Sequence, residues 1–271
     1  MTAGEAWARD ELLALRAAGF RPAACKRFLA ASFARAADTR RARVALTRQA
    51  RAWSAAALLA GHAARRAARS RGIATPSGRV WTAWSVAIAA MLDWHLGMLE
   101  GPRGEPRQRL GAADALALTR ASLAPFVAST RDGTSFTALL ALAAASDYLD
   151  GRLARRSGPT RLGGALDTSA DVAVKLAAAR AARRAGWLTP ATAALLAGCQ
   201  AGGVAAVAAT YFRTGRPPAG GSIGAARWTA PALLGGLAVA PRTPRAANRV
   251  VGAASLATFI VAPVRAAVVG V

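Results

Sequence analysis

The residues best suited to chemistry in this chain are four aspartates: Asp147, Asp150, Asp167 and Asp171. They fall within 25 residues of a protein that has only 13 acidic side chains. Asp147 and Asp150 are three apart and Asp167 and Asp171 four apart, so on helices each pair shares one face. Apolar runs flank both pairs, from Thr134 to Ser146 before them and from Val172 to Ala182 after them, the latter broken by Lys175 and Arg180. A carboxylate set against hydrocarbon is costly unless positive charge compensates it, which makes an intramembrane acid a functional candidate by default. Two such pairs converging on one or two hard divalent cations would supply that compensation with oxygen ligands.

The elements that must position them read as helices. The chain of 271 residues is 54% hydrophobic yet carries a formal charge of +23, nearly all of it arginine. That pairing is unusual for a soluble enzyme and ordinary for a membrane protein with basic cytoplasmic surfaces. Residues 1–76 hold 15 Lys or Arg against Glu5, Asp10, Glu11 and Asp38, and are rich in Ala and Leu. They are expected to form an Arg-rich helical extension, cytoplasmic or on the membrane surface. Basic charge also suits nucleic acid, but no interleaved aromatics or recognition motif accompany it, so no nucleic-acid partner is expected. After the break at Thr75-Pro-Ser-Gly78, Val80 to Leu99 is long enough to span a bilayer, but Trp81, Trp84 and Trp94 have interfacial character, so residues 77–110 read as an interfacial helix and loop. Asp93 and His95 lie two apart on different helix faces and read as structural. From residue 111 onward, apolar segments recur near 112–130, 134–154, 162–184, 187–211, 226–241 and 248–269. Cys25 and Cys199 are far apart and predict no disulfide. The first ten residues lack the basic-then-apolar order of a cleavable signal, so membrane insertion is expected from internal helices.

The spacing D-x2-D-G-x2-A-R, a short loop, then G-x3-D-x3-D is written here by Asp147, Asp150, Gly151, Ala154, Arg155, Gly163, Asp167 and Asp171. It resembles the signature of the CDP-alcohol phosphatidyltransferase family. Seven residues separate Arg155 from Gly163 where the family usually has eight. The resemblance covers about residues 112–271 and implies an all-α fold: a six-transmembrane-helix bundle carrying the Arg-rich N-terminal extension. It implies an integral membrane enzyme whose active site faces the cytoplasm, two Mg2+ or Mn2+ ions, membrane lipids around it and a homodimer. Asp147, Asp150 and Asp167 would hold one ion, and Asp147, Asp167 and Asp171 the other, with Asp171 also the general base. Asp147, Gly151, Ala154, Arg155, Thr160 and Gly163 would bind the donor nucleotide. The implied reaction moves a phosphatidyl group from CDP-diacylglycerol to a hydroxyl acceptor of the glycerol phosphate or inositol phosphate type and releases CMP. Transfer of a small phospho-alcohol from a soluble CDP-alcohol, or a non-catalytic membrane scaffold on the same fold, are the alternatives.

Basic residues outside the signature bind the acceptor in the family. Arg120, Lys175, Arg213 and Arg227 are the candidates here, with Arg216 beside them. Val172 stands where a lysine is usual, and Lys175 follows Asp171 by one turn. Asp114-Ala-Leu-Ala-Leu-Thr-Arg120, followed by Pro125, looks like the family's N-x-L-T-x-x-R…P stretch, with Asp114 in place of asparagine. Asp114 is expected to cap its helix.

Overall fold

The structure is a computed structural model that describes residues 2–215 and 228–268, with side chains in the last helix as far as Thr258. Among the described residues it is all helical, with no strand; a single bridge joins Glu100 and Pro106. The helices are α1 (Ala3–Ala17), α2 (Pro22–Ala42), α3 (Val44–Arg69), α4 (Gly78–His95), α5 (Ala112–Ser129), α6 (Gly133–Ser157), α7 (Arg161–Arg184), α8 (Pro190–Thr214), α9 (Thr229–Val239) and α10 (Pro244–Val268). The last six fall where the six apolar segments were read. The chain divides into two compact units, residues 1–125 with 145–171, and residues 126–144 with 172–271.

In the first unit, local chemistry sets the helix ends. Thr2 and Glu5 form a reciprocal capping box on α1, and Pro22 opens α2. Ser77 accepts from the Val80 N–H at the start of α4. Helices α3 and α4 pair as an antiparallel hairpin, and a Cβ on Gly61 would lie 1.9 Å from the Trp81 ring. Only glycine admits this approach. The Trp81 indole donates to the Leu58 carbonyl at 3.0 Å. Asp93 pairs with Arg40 at 2.7 Å and Arg51 at 3.8 Å, and His95 Nδ1 meets the Met91 carbonyl, so both have the structural duties expected of them. Leu46, Ala50, Leu92, Leu96, Leu99, Leu110 and Leu162 form one buried cluster. This cluster packs the N-terminal helices and the following loop onto the first turn of α7.

In the second unit α10 packs against α8 and α9. Thr189 caps α8 ahead of Pro190, and Gly215 closes that helix with φ 65°. Asn248 joins two elements: its amide donates to the Trp187 carbonyl and its oxygen accepts from Thr189 N–H. Helix α8 is the one described helix long and apolar enough to cross a membrane by length and composition. Charged residues of the functional site lower the hydropathy of α6 and α7.

Candidate active site

Helix α6 carries Asp147 and Asp150, and α7 carries Asp167 and Asp171. The turn between them is short and built from local chemistry. Gly158 takes φ 82°, a left-handed conformation that a side chain resists. Thr160 then accepts from the Gly163 N–H at 2.9 Å and caps α7. This compact turn accommodates the seven-residue separation of Arg155 and Gly163.

The turn is held from outside as well. Arg107 donates to the Ser157 carbonyl at 2.6 Å, and the Arg161 N–H donates to the Glu100 carbonyl at 3.1 Å. The Arg161 side chain pairs with Glu5 and, at 3.3 Å, with Glu100; Glu100 also accepts from the Thr2 hydroxyl at 2.7 Å. The beginning of the chain therefore clamps the turn that joins the two aspartate pairs. Sequence reading missed this clamp. The sequence offered only the scarcity of acids such as Glu5 and Glu100 in a strongly basic chain; the burial of Glu100 is visible only in the structure.

Across the turn the carboxylates converge. One oxygen each from Asp147, Asp150 and Asp167 lie within 4.8 Å of one another. Into this group reaches Arg120 of α5, which is only 1% exposed. Its Nη1 is 2.5 Å from Asp147 Oδ1, its Nη2 pairs with Asp167 and lies 3.1 Å from Asp150 Oδ2, and its Nε is 3.5 Å from Asp171 Oδ1. One guanidinium thus touches all four carboxylates. Asp147 and Asp167 remain 46% and 49% exposed, so the cluster opens on one side.

The donor set fits hard divalent cations. Four carboxylates face one guanidinium, and buried Asp150 Oδ2, although in ion-pair range of Arg120, accepts no hydrogen bond. An oxygen in that state is suited to coordinate a metal.

Residues 110–264 match the family described as CDP-alcohol phosphatidyltransferase, whereas no curated protein and no solved structure matches the chain. The chain belongs to the CDP-alcohol phosphatidyltransferase family. It is accordingly a phosphotransferase, and the family is metal-dependent in general and typically integral to the membrane.

The remaining signature residues lie on α6, on α7 and in the turn between them. A Cβ on Gly151 would come 3.3 Å from Arg155 Nη1, so the Arg155 head folds back over Gly151. Ala154 is half-buried on the same helix. A Cβ on Gly163 would meet Thr160 Oγ1 at 2.9 Å and Asp114 Oδ1 at 3.1 Å, which excludes any larger residue without a shift. Asp114 is buried and its Oδ2 accepts from the Gly111 N–H at 2.8 Å, the cap expected of it. Of the acceptor candidates, Arg120 is brought to the aspartates within the first unit. Lys175 is buried on α7 within the second unit, and Arg213 is exposed in the last turn of α8. Arg216 and Arg227 lie outside the described residues.

Proposed function

We propose that this protein is an integral membrane enzyme of phospholipid synthesis that moves a phosphatidyl group from CDP-diacylglycerol to a hydroxyl acceptor of the glycerol phosphate or inositol phosphate type. The observation that carries the reading is the convergence of Asp147, Asp150, Asp167 and Asp171 from two helices at one open site. In this reading the six helices α5–α10 form the membrane bundle, the site faces the cytoplasm, and two copies of the chain associate.

Asp147, Asp150 and Asp167 would hold one Mg2+ or Mn2+ ion, and Asp147, Asp167 and Asp171 a second. When bound, such ions neutralise charge that builds on the pyrophosphate and its leaving group. Asp171, whose carboxylate is about a quarter exposed, takes the proton from the acceptor hydroxyl. The acceptor oxygen then forms its bond to the β-phosphorus of the donor, the bond from that phosphorus to the bridging oxygen breaks, and CMP leaves with the bonding electrons. Arg155, exposed at the rim and folded over Gly151, contacts the donor phosphates with its planar fork. With Arg155 turned to the donor phosphates, Gly151 would let the nucleotide approach the backbone, and Thr160 would touch the donor beside Gly163. Arg120 holds the carboxylates together from the buried side. Acceptor contacts from Lys175, Arg213 and Arg227 belong to the same proposal.

The test uses purified protein in lipid vesicles with labelled CDP-diacylglycerol, a second donor carrying a small alcohol, and a panel of hydroxyl acceptors. Metal-dependent release of CMP with the lipid donor and a phosphorylated acceptor is expected. Turnover of the small-alcohol donor alone would replace the lipid reading, and no CMP release with any pair would overturn the proposal.

A further inference from the structure

Helices α3 and α4 share an unusual distribution of charge. Between Arg51 and Arg65, residues 52–64 carry no charged side chain, and neither do residues 80–92 between Arg79 and Asp93. Each stretch is 13 residues, about 20 Å of helix. The two stretches lie side by side. Arg51 faces Asp93 at one end, while Leu58 and His62 meet Trp81 and Thr82 toward the other. The hairpin therefore has a single uncharged band with arginines beyond both of its edges: Arg48 and Arg51 on one side, and Arg65, Arg66, Arg69, Arg71 and Arg79 around the turn.

The surface of that band is apolar. Leu59 is 69% exposed, Val86 56% and Met91 51%, with Ala55, Ala56, Ala60, Ala83 and Ala87 exposed between them. Most polar groups in the band bond inward: Ser54 to the Ala50 carbonyl, His62 to Thr82, and Trp81 to the Leu58 carbonyl, while the Ser85 hydroxyl is buried without a hydrogen bond. A helix lying on head groups needs a charged face along its length. Neither stretch has one.

A second observation fixes where this band lies. Pro125 has no N–H, so the Ala121 carbonyl one turn earlier in α5 loses its helical donor. The Trp84 indole of α4 supplies the replacement, at 3.0 Å. Ala121 is mid-way along α5, the first helix of the proposed membrane bundle, and an unsatisfied carbonyl at that depth is costly. A helix that reaches it from the side lies at the same depth.

We propose that α3 and α4 form a membrane-embedded hairpin whose uncharged band contacts lipid acyl chains, adding two intramembrane helices to the family's bundle. The proposal rests on the membrane reading of α5 and replaces, for residues 44–95 alone, the surface and interfacial placement expected from sequence. The band is shorter than a bilayer core of about 30 Å. The exposed arginines at its edges, unlike buried Arg65, make up the difference by extending their stems to the head groups. The hairpin also returns the chain to the side where Glu5 and Glu100 meet Arg161.

The experiment places a nitroxide label at Leu59→Cys, Val86→Cys and, as a control on the apolar helix α8, Val204→Cys. Each is made in full-length protein carrying Cys25→Ser, with buried Cys199 left in place, and each is reconstituted in phosphatidylcholine–phosphatidylglycerol vesicles. Power-saturation EPR compares collision with oxygen, which enriches in hydrocarbon, and with a water-soluble nickel chelate. All three labels favouring oxygen is the expected result. Hairpin labels that favour nickel while the α8 label favours oxygen would overturn the hairpin and leave the membrane reading intact. Nickel-favouring signals at all three would overturn both. Hairpin labels shielded from both reagents would show a protein partner, such as a second copy, on this face and overturn the lipid contact.

Discussion

Two arginines in the first unit are each gripped by several carboxylates, and they differ in what remains unmatched. Arg161 lies between Glu5 and Glu100, and both acids have further partners in Thr2, one through its N–H and the other through its hydroxyl. Arg120 lies among four aspartates, one of which has a buried oxygen without a hydrogen bond. The first cluster is a clamp between distant parts of the chain, nearly balanced in charge, although Arg161 Nε there also makes no hydrogen bond. The second has a large excess of negative charge, held together by one guanidinium and open to solvent. Proximity of acids and an arginine is common to both; the excess of carboxylate separates a site for cations from a structural tie.

The largest effect that tests this contrast is at the aspartates. Asp171→Asn keeps the shape and removes the proton acceptor, and turnover should fall about 10²–10⁴-fold. The fold should survive, as thermal unfolding of the detergent-solubilised protein would show. Unchanged CMP release would remove Asp171 from the chemistry. Next is Arg120→Met, which leaves four carboxylates without their shared cation. In chelator it should destabilise the protein by about 3 kcal/mol, the lower end of the range for a broken buried pair because two of its partners are half exposed. Added Mg2+ should recover much of that loss by supplying positive charge. Thermal unfolding with and without Mg2+ reads both, and a variant indifferent to Mg2+ would contradict the cation site.

The two clusters were not equally legible. The three- and four-residue spacings within the aspartate pairs and the turn residues Gly158 to Thr160 are local, and periodicity reads local relations well. The same holds for the six helices from α5 to α10 and for the cap at Asp114. Arg120 stands 27 residues from Asp147 and 51 from Asp171, and Arg161 is 156 residues from Glu5. No helical period links such positions, so the first was assigned to the acceptor and the second went unread. The six spans expected from sequence are matched by one described helix, α8, that is long and apolar enough to cross a membrane, while α6 and α7 carry many charged side chains.

The clamp itself predicts a smaller effect. Arg161→Met removes a charge-assisted tie whose members are all partly buried. The expected cost is about 1.5 kcal/mol of stability, with no response to Mg2+. Because the clamp only positions the turn between the aspartate pairs, the KM for the CDP-alcohol should rise more than kcat falls. A loss of kcat as large as that of Asp171→Asn would place Arg161 in the chemistry and dissolve the contrast.

A third acidic site isolates the opposite limit, an acid satisfied mainly by backbone and by no cation. Asp132 precedes α6 and accepts from the Ser135 N–H at 2.7 Å. That hydrogen bond is the main reason its pKa is held below the usual carboxylate value. A depressed carboxylate contributes stability that is fully present above the unfolded-state pKa, near 4 for aspartate, and is lost as pH falls through the folded value. Asp132→Ala should therefore cost about 1 kcal/mol at neutral pH, as for other lost helix caps. The difference from the parent protein should shrink below about pH 4. Unfolding midpoints of both proteins across that range measure it, and Mg2+ should leave the difference untouched. If Mg2+ moved it as it moves the Arg120 variant, the cation response would be a property of carboxylates in general, and the excess charge around Arg120 would lose its meaning as the mark of the site.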